Sequence, residues 1–321
     1  MTANPYTTMP CTATVGDLFS GYLSYLKGRK ASSYDHARRV LTIVEAKIGA
    51  QTPIQAVTAR SVLPVLAEGY SKGSKAQTAW TRALLRTVWN WAIRSPLDYR
   101  NTNAVDFGIQ TNPLEAIPAD SATLTKSRSR YFTQAELPGY IAFLHSHSNN
   151  PASAILELLL YTGARVEELA DLEVRDYNRN EQTLLLRQTK AGNDHILGLG
   201  DDAVKLINKW TEGKNSGDPV FPSTRKPLTS VTHNSVYVFF QKSGLTDACP
   251  RDTRRTFKTL AQVAGIDRET LDIIQNHRDG SIASKHYDKY FSTSNAIQRM
   301  RQSLTVWEQW LWSDCAVRIA A

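Results

Sequence analysis

Two arginines stand where a charged side chain is expensive. Asp252 to Val263 reads as a helix opened by Asp252 and Thr253. On it Arg254 shares a side with Phe257 and Ala261, three and seven residues on. In T-G-A-R-V-E-E-L a turn at Gly163 precedes a helix from about Arg165 to Leu172, and Arg165 lies over Leu169 and Leu172. A guanidinium beside an apolar stripe is costly unless an anion meets it. The anion can be a carboxylate of the chain itself, which makes a structural ion pair, or an external group. Taken one at a time, the ion pair is the simpler reading.

Further groups accompany the arginines. Thr183 to Leu199 reads as a β-hairpin, with Ala191-Gly192-Asn193-Asp194 as its turn and Lys190 at the turn's start. By itself Lys190 reads as an exposed lysine that discourages edge pairing. His277 lies in Q-N-H, and K-H-Y-D-K-Y follows. Tyr287 and Tyr290 share one stripe with Ala283 and Phe291, so either can be a core tyrosine.

Taken in chain order, the segments resemble the tyrosine recombinases, the phage-type integrases. T-G-A-R-V-E-E-L is similar to their first catalytic box, with Arg165 at its arginine and Glu168 at its acidic residue. R-D-T-R-R-T-F carries Arg254 at the second arginine. T-K-A-G sets Lys190 where the family has a catalytic lysine. Q-N-H and the tyrosine after it match the close of the signature, which selects Tyr287 over Tyr290. Four boxes in sequence are more specific than any one of them.

What the resemblance implies is phosphodiester transfer. The Tyr287 oxygen attacks phosphorus and forms a 3′-phosphotyrosine. Arg165 and Arg254 hold the non-bridging oxygens with permanently charged donors, and His277 donates there too. Lys190 is the general acid for the leaving 5′-oxygen. Glu168 orients an arginine. Neither a metal nor another cofactor is required.

Arg251 departs from the family, which usually has histidine at that place. A histidine, with a pKa near about 6.5, could take the tyrosine's proton. An arginine stays protonated. Arg251 is therefore expected as a third cationic donor that favours the phenolate. The alternative is a pair with Asp252 or another carboxylate outside the site.

The rest of the 321 residues must position these groups. The chain is 41% apolar and 21% charged, within the range of soluble proteins, and has length for two domains. No apolar run spans a bilayer, and MTANPYTTMPC lacks a secretory pattern. Cys11, Cys249 and Cys315 are too few for a disulfide framework or a metal cluster, which fits a reducing cytoplasm. The net charge of +8 sits in residues 1–130, with 16 Lys and Arg against 8 Asp and Glu; the remainder is balanced at 22 of each. A basic first half suggests a polyanion grip.

Helical spacing is legible over Thr14–Leu26, from Ser32 or Ser33 to about Ile48, after Thr58, and over Thr78–Ile93. Arg82 and Arg86 lie one turn apart on the last of these and are candidate DNA contacts. Trp80, Trp89 and Trp91 read as packing groups. Lys126, Arg128 and Arg130 lie in the polar stretch 119–130, a basic linker able to follow a phosphate backbone. Thr133 and Glu136 make a capping-box pattern, and Ala152–Tyr161 reads as a strongly apolar helix. Helices are also expected over Asp201–Trp210 and Thr229–Lys242. Ile297, Met300, Leu304, Trp307 and Leu311 line one face of a long C-terminal helix. Such a stripe needs cover. The reading taken is partial packing on a second protomer, with folding back on its own domain as the alternative.

The expected fold is mainly α with a small β-sheet: a helical core-binding (SAM-like) domain plus an α+β tyrosine-recombinase catalytic domain. Its expected divisions are a 1–12 tail, a 13–118 DNA-binding domain, a 119–130 linker and a 131–321 catalytic domain. The function implied is a site-specific DNA recombinase or integrase of a phage or mobile element. It would act on double-stranded attachment sites as a tetramer, in the cytoplasm on the nucleoid and away from membranes. The resemblance also admits accessory DNA-bending or directionality factors. Two rival readings are a type IB topoisomerase-like nicking and resealing enzyme and a non-catalytic DNA-binding regulator on the same fold.

Overall fold

The computed structural model describes residues 13–29, 31, 33–99, 105–120, 128–187, 194–277 and 293–319, with side chains as far as Ser313. The chain divides into two compact units, residues 1–128 and 129–321.

The first unit is built from α1 (Val15–Gly28), α2 (Tyr34–Ile48), α3 (Ala59–Ser71) and α4 (Lys75–Arg94). Thr14 caps α1 through a reciprocal exchange: its hydroxyl accepts the Asp17 N–H at 3.2 Å, and the Asp17 carboxylate accepts the Thr14 N–H at 2.9 Å. Thr58 and Ser61 make the same exchange at α3. Leu18, Phe19, Leu41, Leu85, Val88 and Trp89 meet in one apolar core. Trp89 and Trp91 pack as expected, Trp91 against Tyr22 and Phe107. Trp80 does not, being 60% exposed. It precedes Leu85 by five residues, roughly 140° around the helix from that buried position.

The second unit contains α5 (Leu137–Ser146), α6 (Pro151–Thr162), α7 (Val166–Ala170), β1 (Tyr177–Asn178), β2 (Thr183–Leu186) and β3 (His195–Gly198). It continues with α8 (Asp201–Thr211), α9 (His233–Phe240), α10 (Pro250–Val263), α11 (Arg268–Ile274) and α12 (Ser294–Ile319). Every residue of α6 except Glu157 is buried, so this helix is the axis around which the others pack. The three strands form an antiparallel sheet in the order β1-β2-β3, with Leu184 opposite Leu197 and Leu186 opposite His195. Lys190 and most of the hairpin turn lie outside the described residues. Below that turn, Arg187 pairs with the buried Asp176 at 2.5 Å.

Three helices are shorter than their sequence patterns suggest. The Glu136 carboxylate accepts the Thr133 N–H at 2.8 Å, yet the helix begins only at Leu137. After Ala170 the chain straightens, because the Leu172 carbonyl accepts the Val220 N–H at 2.9 Å. Residues 229–231 are taken by a tight loop in which Ser223 donates to the Thr229 carbonyl and Val231 to that of Phe221. Thr232 then caps α9.

The C-terminal stripe is covered by its own unit, not left for a second protomer. Met300, Leu304, Trp307 and Leu311 are fully buried. The Trp307 indole N–H donates to the Leu160 carbonyl at 2.9 Å and its ring meets Phe257 edge-on. Glu308 on the same helix is buried and accepts the Asp202 and Ala203 N–H groups at 2.9 and 3.1 Å, closing the N-terminus of α8. Truncation after Ser294 therefore removes part of the core. Trp307→Ala is expected to cost about 3–5 kcal/mol in urea unfolding. A loss below about 1 kcal/mol would mean that the helix contributes little to the unit.

Burial, with the charges of Asp202 and Asp201, outweighs these two N–H donors and raises the Glu308 pKa from 4.5 to about 7. Between those values the folded chain keeps a proton that the unfolded chain has lost, so Glu308 makes stability fall as pH rises through the window. Glu308→Gln should flatten the pH dependence of unfolding between 4.5 and 7. A wild-type minus variant difference that is constant with pH would rule this out.

Candidate active site

The site begins at a glycine. Gly163 ends α6 in the left-handed conformation, with φ of 61°. A Cβ there would lie 2.2 Å from the Phe257 ring and 2.9 Å from the Gln275 side-chain nitrogen. The missing side chain thus lets α10 approach α6 closely. It also turns the Gly163 carbonyl toward Arg254, whose Nη1 donates to it at 2.6 Å. Nη2 of Arg254 donates to the Gln275 carbonyl at 2.7 Å. Two backbone carbonyls therefore hold this guanidinium, which carries no full countercharge in these bonds.

Burial and the nearby charge of Arg165 push the Arg254 pKa down to about 10. The side chain remains cationic at neutral pH, in surroundings that favour an added anion. Arg165 follows the same glycine by two residues and forms the N-cap of α7. The Glu168 carboxylate accepts from its Nη1 at 2.6 Å and from its backbone N–H at 3.1 Å. Glu168 thus fixes both ends of Arg165, as expected of an orienting residue. One turn and one helix start bring the two arginines together, although 88 residues of chain lie between them.

His277 follows a turn in which Asn276 has φ of 46°. Its N–H donates to the Asp272 carbonyl at 2.8 Å. Its ring is 60% exposed on the side chain, with Nδ1 3.9 Å from the Asp272 carboxylate. Arg251 lies in the first turn of α10 and is 69% exposed on its side chain, 3.5 Å from Glu167. Its carboxylate partner is thus Glu167. Asp252 instead accepts the Cys249 N–H and pairs with Arg255. Tyr287, Tyr290, Lys190 and Lys126 lie outside the described residues.

Of the five basic residues assigned to DNA from sequence, Arg82, Arg86 and Arg130 have internal partners. Arg82 donates through Nε to the Ile117 carbonyl at 2.9 Å and through Nη2 to that of Leu114 at 3.3 Å. It thereby ties the end of the first unit to α4 instead of facing outward. Arg86 pairs with Glu115 at 2.8 Å, with both side chains about half exposed. Arg130 pairs with Glu136, which raises its pKa. Arg128 is exposed.

Sequence reasoning missed Gln275. Its amide donates to the Arg254 carbonyl at 3.1 Å and the residue is 4% exposed. A polar residue directly after Ile273 and Ile274 was the available signal.

Gly163→Ala is expected to destabilise the second unit by about 2 kcal/mol or more, from left-handed strain together with the clash on Phe257. Phe257→Ala is buried and costly alone, but in a double-mutant cycle it should recover the clash part of the Gly163→Ala loss. Strict additivity of the two would show that the Phe257 contact is not what requires glycine.

Comparison with known proteins is consistent with this geometry. The phage integrase family model matches residues 130–292, just over half of the chain. Tyrosine recombinase XerA of Saccharolobus solfataricus is 31% identical over 125 residues, 39% of this chain and 41% of that protein. Prophage integrase IntF of Escherichia coli is 24% identical over 75% of this chain and 51% of its own. The alignments thus span about half or less of these two relatives. A tyrosine recombinase of Thermosipho africanus is matched over 92% of its length at 22% identity. Among solved structures, a lambda integrase dimer bound to a COC′ core site aligns with TM-score 0.62 and 19% identity, covering 83% of this chain and 96% of that one. A Tn1549 transposon integrase bound to circular intermediate DNA aligns with TM-score 0.56 and 18% identity, covering 89% and 98%. These two likenesses establish the mainly helical fold with its small sheet. The family match over more than half of the chain places it in the phage integrase family of tyrosine recombinases.

Proposed function

We propose that this protein is a site-specific DNA recombinase that cuts and rejoins strands through a 3′-phosphotyrosine. The observation that carries the reading is the pairing of Arg165 and Arg254 around the Gly163 turn. Arg165 is held by one carboxylate, and Arg254 by two carbonyls. Each guanidinium retains N–H groups beyond these bonds. Two adjacent cations, both partly buried, suit the non-bridging oxygens of a phosphate that gains charge as it becomes pentavalent.

Tyr287 supplies the attacking oxygen, Lys190 the proton for the leaving 5′-oxygen, and His277 a further donor. Arg251 is the outer donor in this scheme, because a phosphate can displace its exposed contact with Glu167. Residues 13–118 are assigned as a DNA-binding domain, 119–130 as a linker and 131–321 as the catalytic domain. With Arg82 tied to internal carbonyls, Arg128 and Lys126 become the better candidates for phosphate contact. The substrate is double-stranded DNA with paired attachment sites. A lambda integrase has been seen as a tetramer on a Holliday junction, and the same assembly is proposed here. A role in a phage or other mobile element is proposed from the prophage and transposon integrases among its relatives.

A nicked substrate that traps the covalent complex tests the scheme. Tyr287→Phe should bind DNA and form no adduct. Arg165→Ala and Arg254→Ala should cut roughly 100- to 1,000-fold more slowly, with smaller losses in binding. An adduct that survives in Tyr287→Phe and disappears in Tyr290→Phe would reassign the nucleophile.

A further inference from the structure

Arg254 and Gln275 exchange hydrogen bonds in both directions. The Arg254 guanidinium donates to the Gln275 backbone carbonyl at 2.7 Å, and the Gln275 amide donates to the Arg254 backbone carbonyl at 3.1 Å. The same amide nitrogen lies 3.4 Å from the Gly163 carbonyl, which also accepts from Arg254. Both of its neighbours are carbonyl oxygens, so its identity as the NH₂ group follows from its partners. One side chain thus bridges the Gly163 turn, helix α10 and the turn that leads to His277.

Burying an amide costs free energy that an apolar side chain of similar volume would avoid. The fully buried Phe257 ring lies against the same Gly163 turn, so packing by itself does not call for an amide. What the amide adds is a fixed distance between α10, which carries Arg254, and the turn that carries His277. Since a guanidinium held by backbone carbonyls moves with them, the tie also fixes where its remaining N–H groups point.

We propose that Gln275 is a positioning residue that holds Arg254 and His277 in register for phosphate binding. The inference rests on the reading of Arg254 as a phosphate-binding group. Gln275 does not touch substrate and acts through Arg254.

The test compares wild type with Gln275→Met, which keeps volume and loses the donor, and Gln275→Asn, which keeps the amide on a shorter stem. Thermal unfolding and DNA affinity are measured beside single-turnover cleavage of the nicked substrate. The Arg254 side-chain N–H resonances are followed by NMR. Gln275→Met is expected to cleave about 10- to 100-fold more slowly, with affinity within about twofold. Its Arg254 resonances should shift and broaden as the guanidinium gains freedom. Gln275→Asn should fall between Gln275→Met and wild type. Unchanged cleavage and unchanged Arg254 resonances in folded Gln275→Met would overturn the proposal. So would losses in both variants that merely track the folded fraction. If wild type cuts no DNA, the recombinase reading fails, and the NMR comparison still decides whether Gln275 holds Arg254.

Discussion

The site depends on the backbone turn at Gly163. A guanidinium partly withdrawn from water needs acceptors, and a full countercharge placed there would compete with any phosphate that arrived. The Gly163 carbonyl satisfies Arg254 without neutralising it. It can do so because Gly163 takes a left-handed conformation and leaves space that Phe257 and Gln275 fill. Arg165 then follows within two residues at the start of α7, so the geometry of one turn sets the spacing of the two cations. Glu168 holds Arg165 by a short lever, three residues away on the same helix start.

That turn is kept in place by packing. Helix α6, which ends at Gly163, is buried on nearly every side, and α10 and α12 both lie against it. Trp307 joins them: its indole bonds to Leu160 on α6 and its ring meets Phe257 on α10. The C-terminal helix therefore supports the floor of the candidate site from behind. Its second anchor, Glu308, satisfies the free N–H groups of α8 with a carboxylate whose burial raises its pKa.

The basic first part of the chain illustrates why net charge is a poor map of a binding surface. All of the formal excess of +8 falls within residues 1–130. Yet Arg82 is consumed by two carbonyls, Arg86 faces Glu115 and Arg130 faces Glu136. Long-range attraction for a polyanion depends on the sum, which the bonds of Arg82 to neutral carbonyls leave intact. Close contact depends on which cations can leave their partners.

Much of this protein was legible without coordinates. Helix periodicity located α1 to α4, α6, α8, α10 and α12, because an amphipathic helix repeats its apolar positions at a spacing that few other arrangements share. The turn-rich Ala191-Gly192-Asn193-Asp194 between two apolar stretches marked the hairpin, and Thr-Gly-x-Arg and Arg-Arg-Thr-Phe marked the two arginines. Local rules were weaker at helix ends, where α7 and α9 gave up residues to pairing with distant segments around Val220 and Phe221. Tertiary structure alone decided three matters. It covered the Met300, Leu304, Trp307, Leu311 stripe within its own unit, since periodicity shows that a face is apolar but not what meets it. It exposed Trp80 and tied Arg82 inward, since neither outcome depends on residue type. It also brought Gln275 against Arg254 across 21 residues of chain, a contact set by how α10 and α11 pack rather than by any spacing in the sequence.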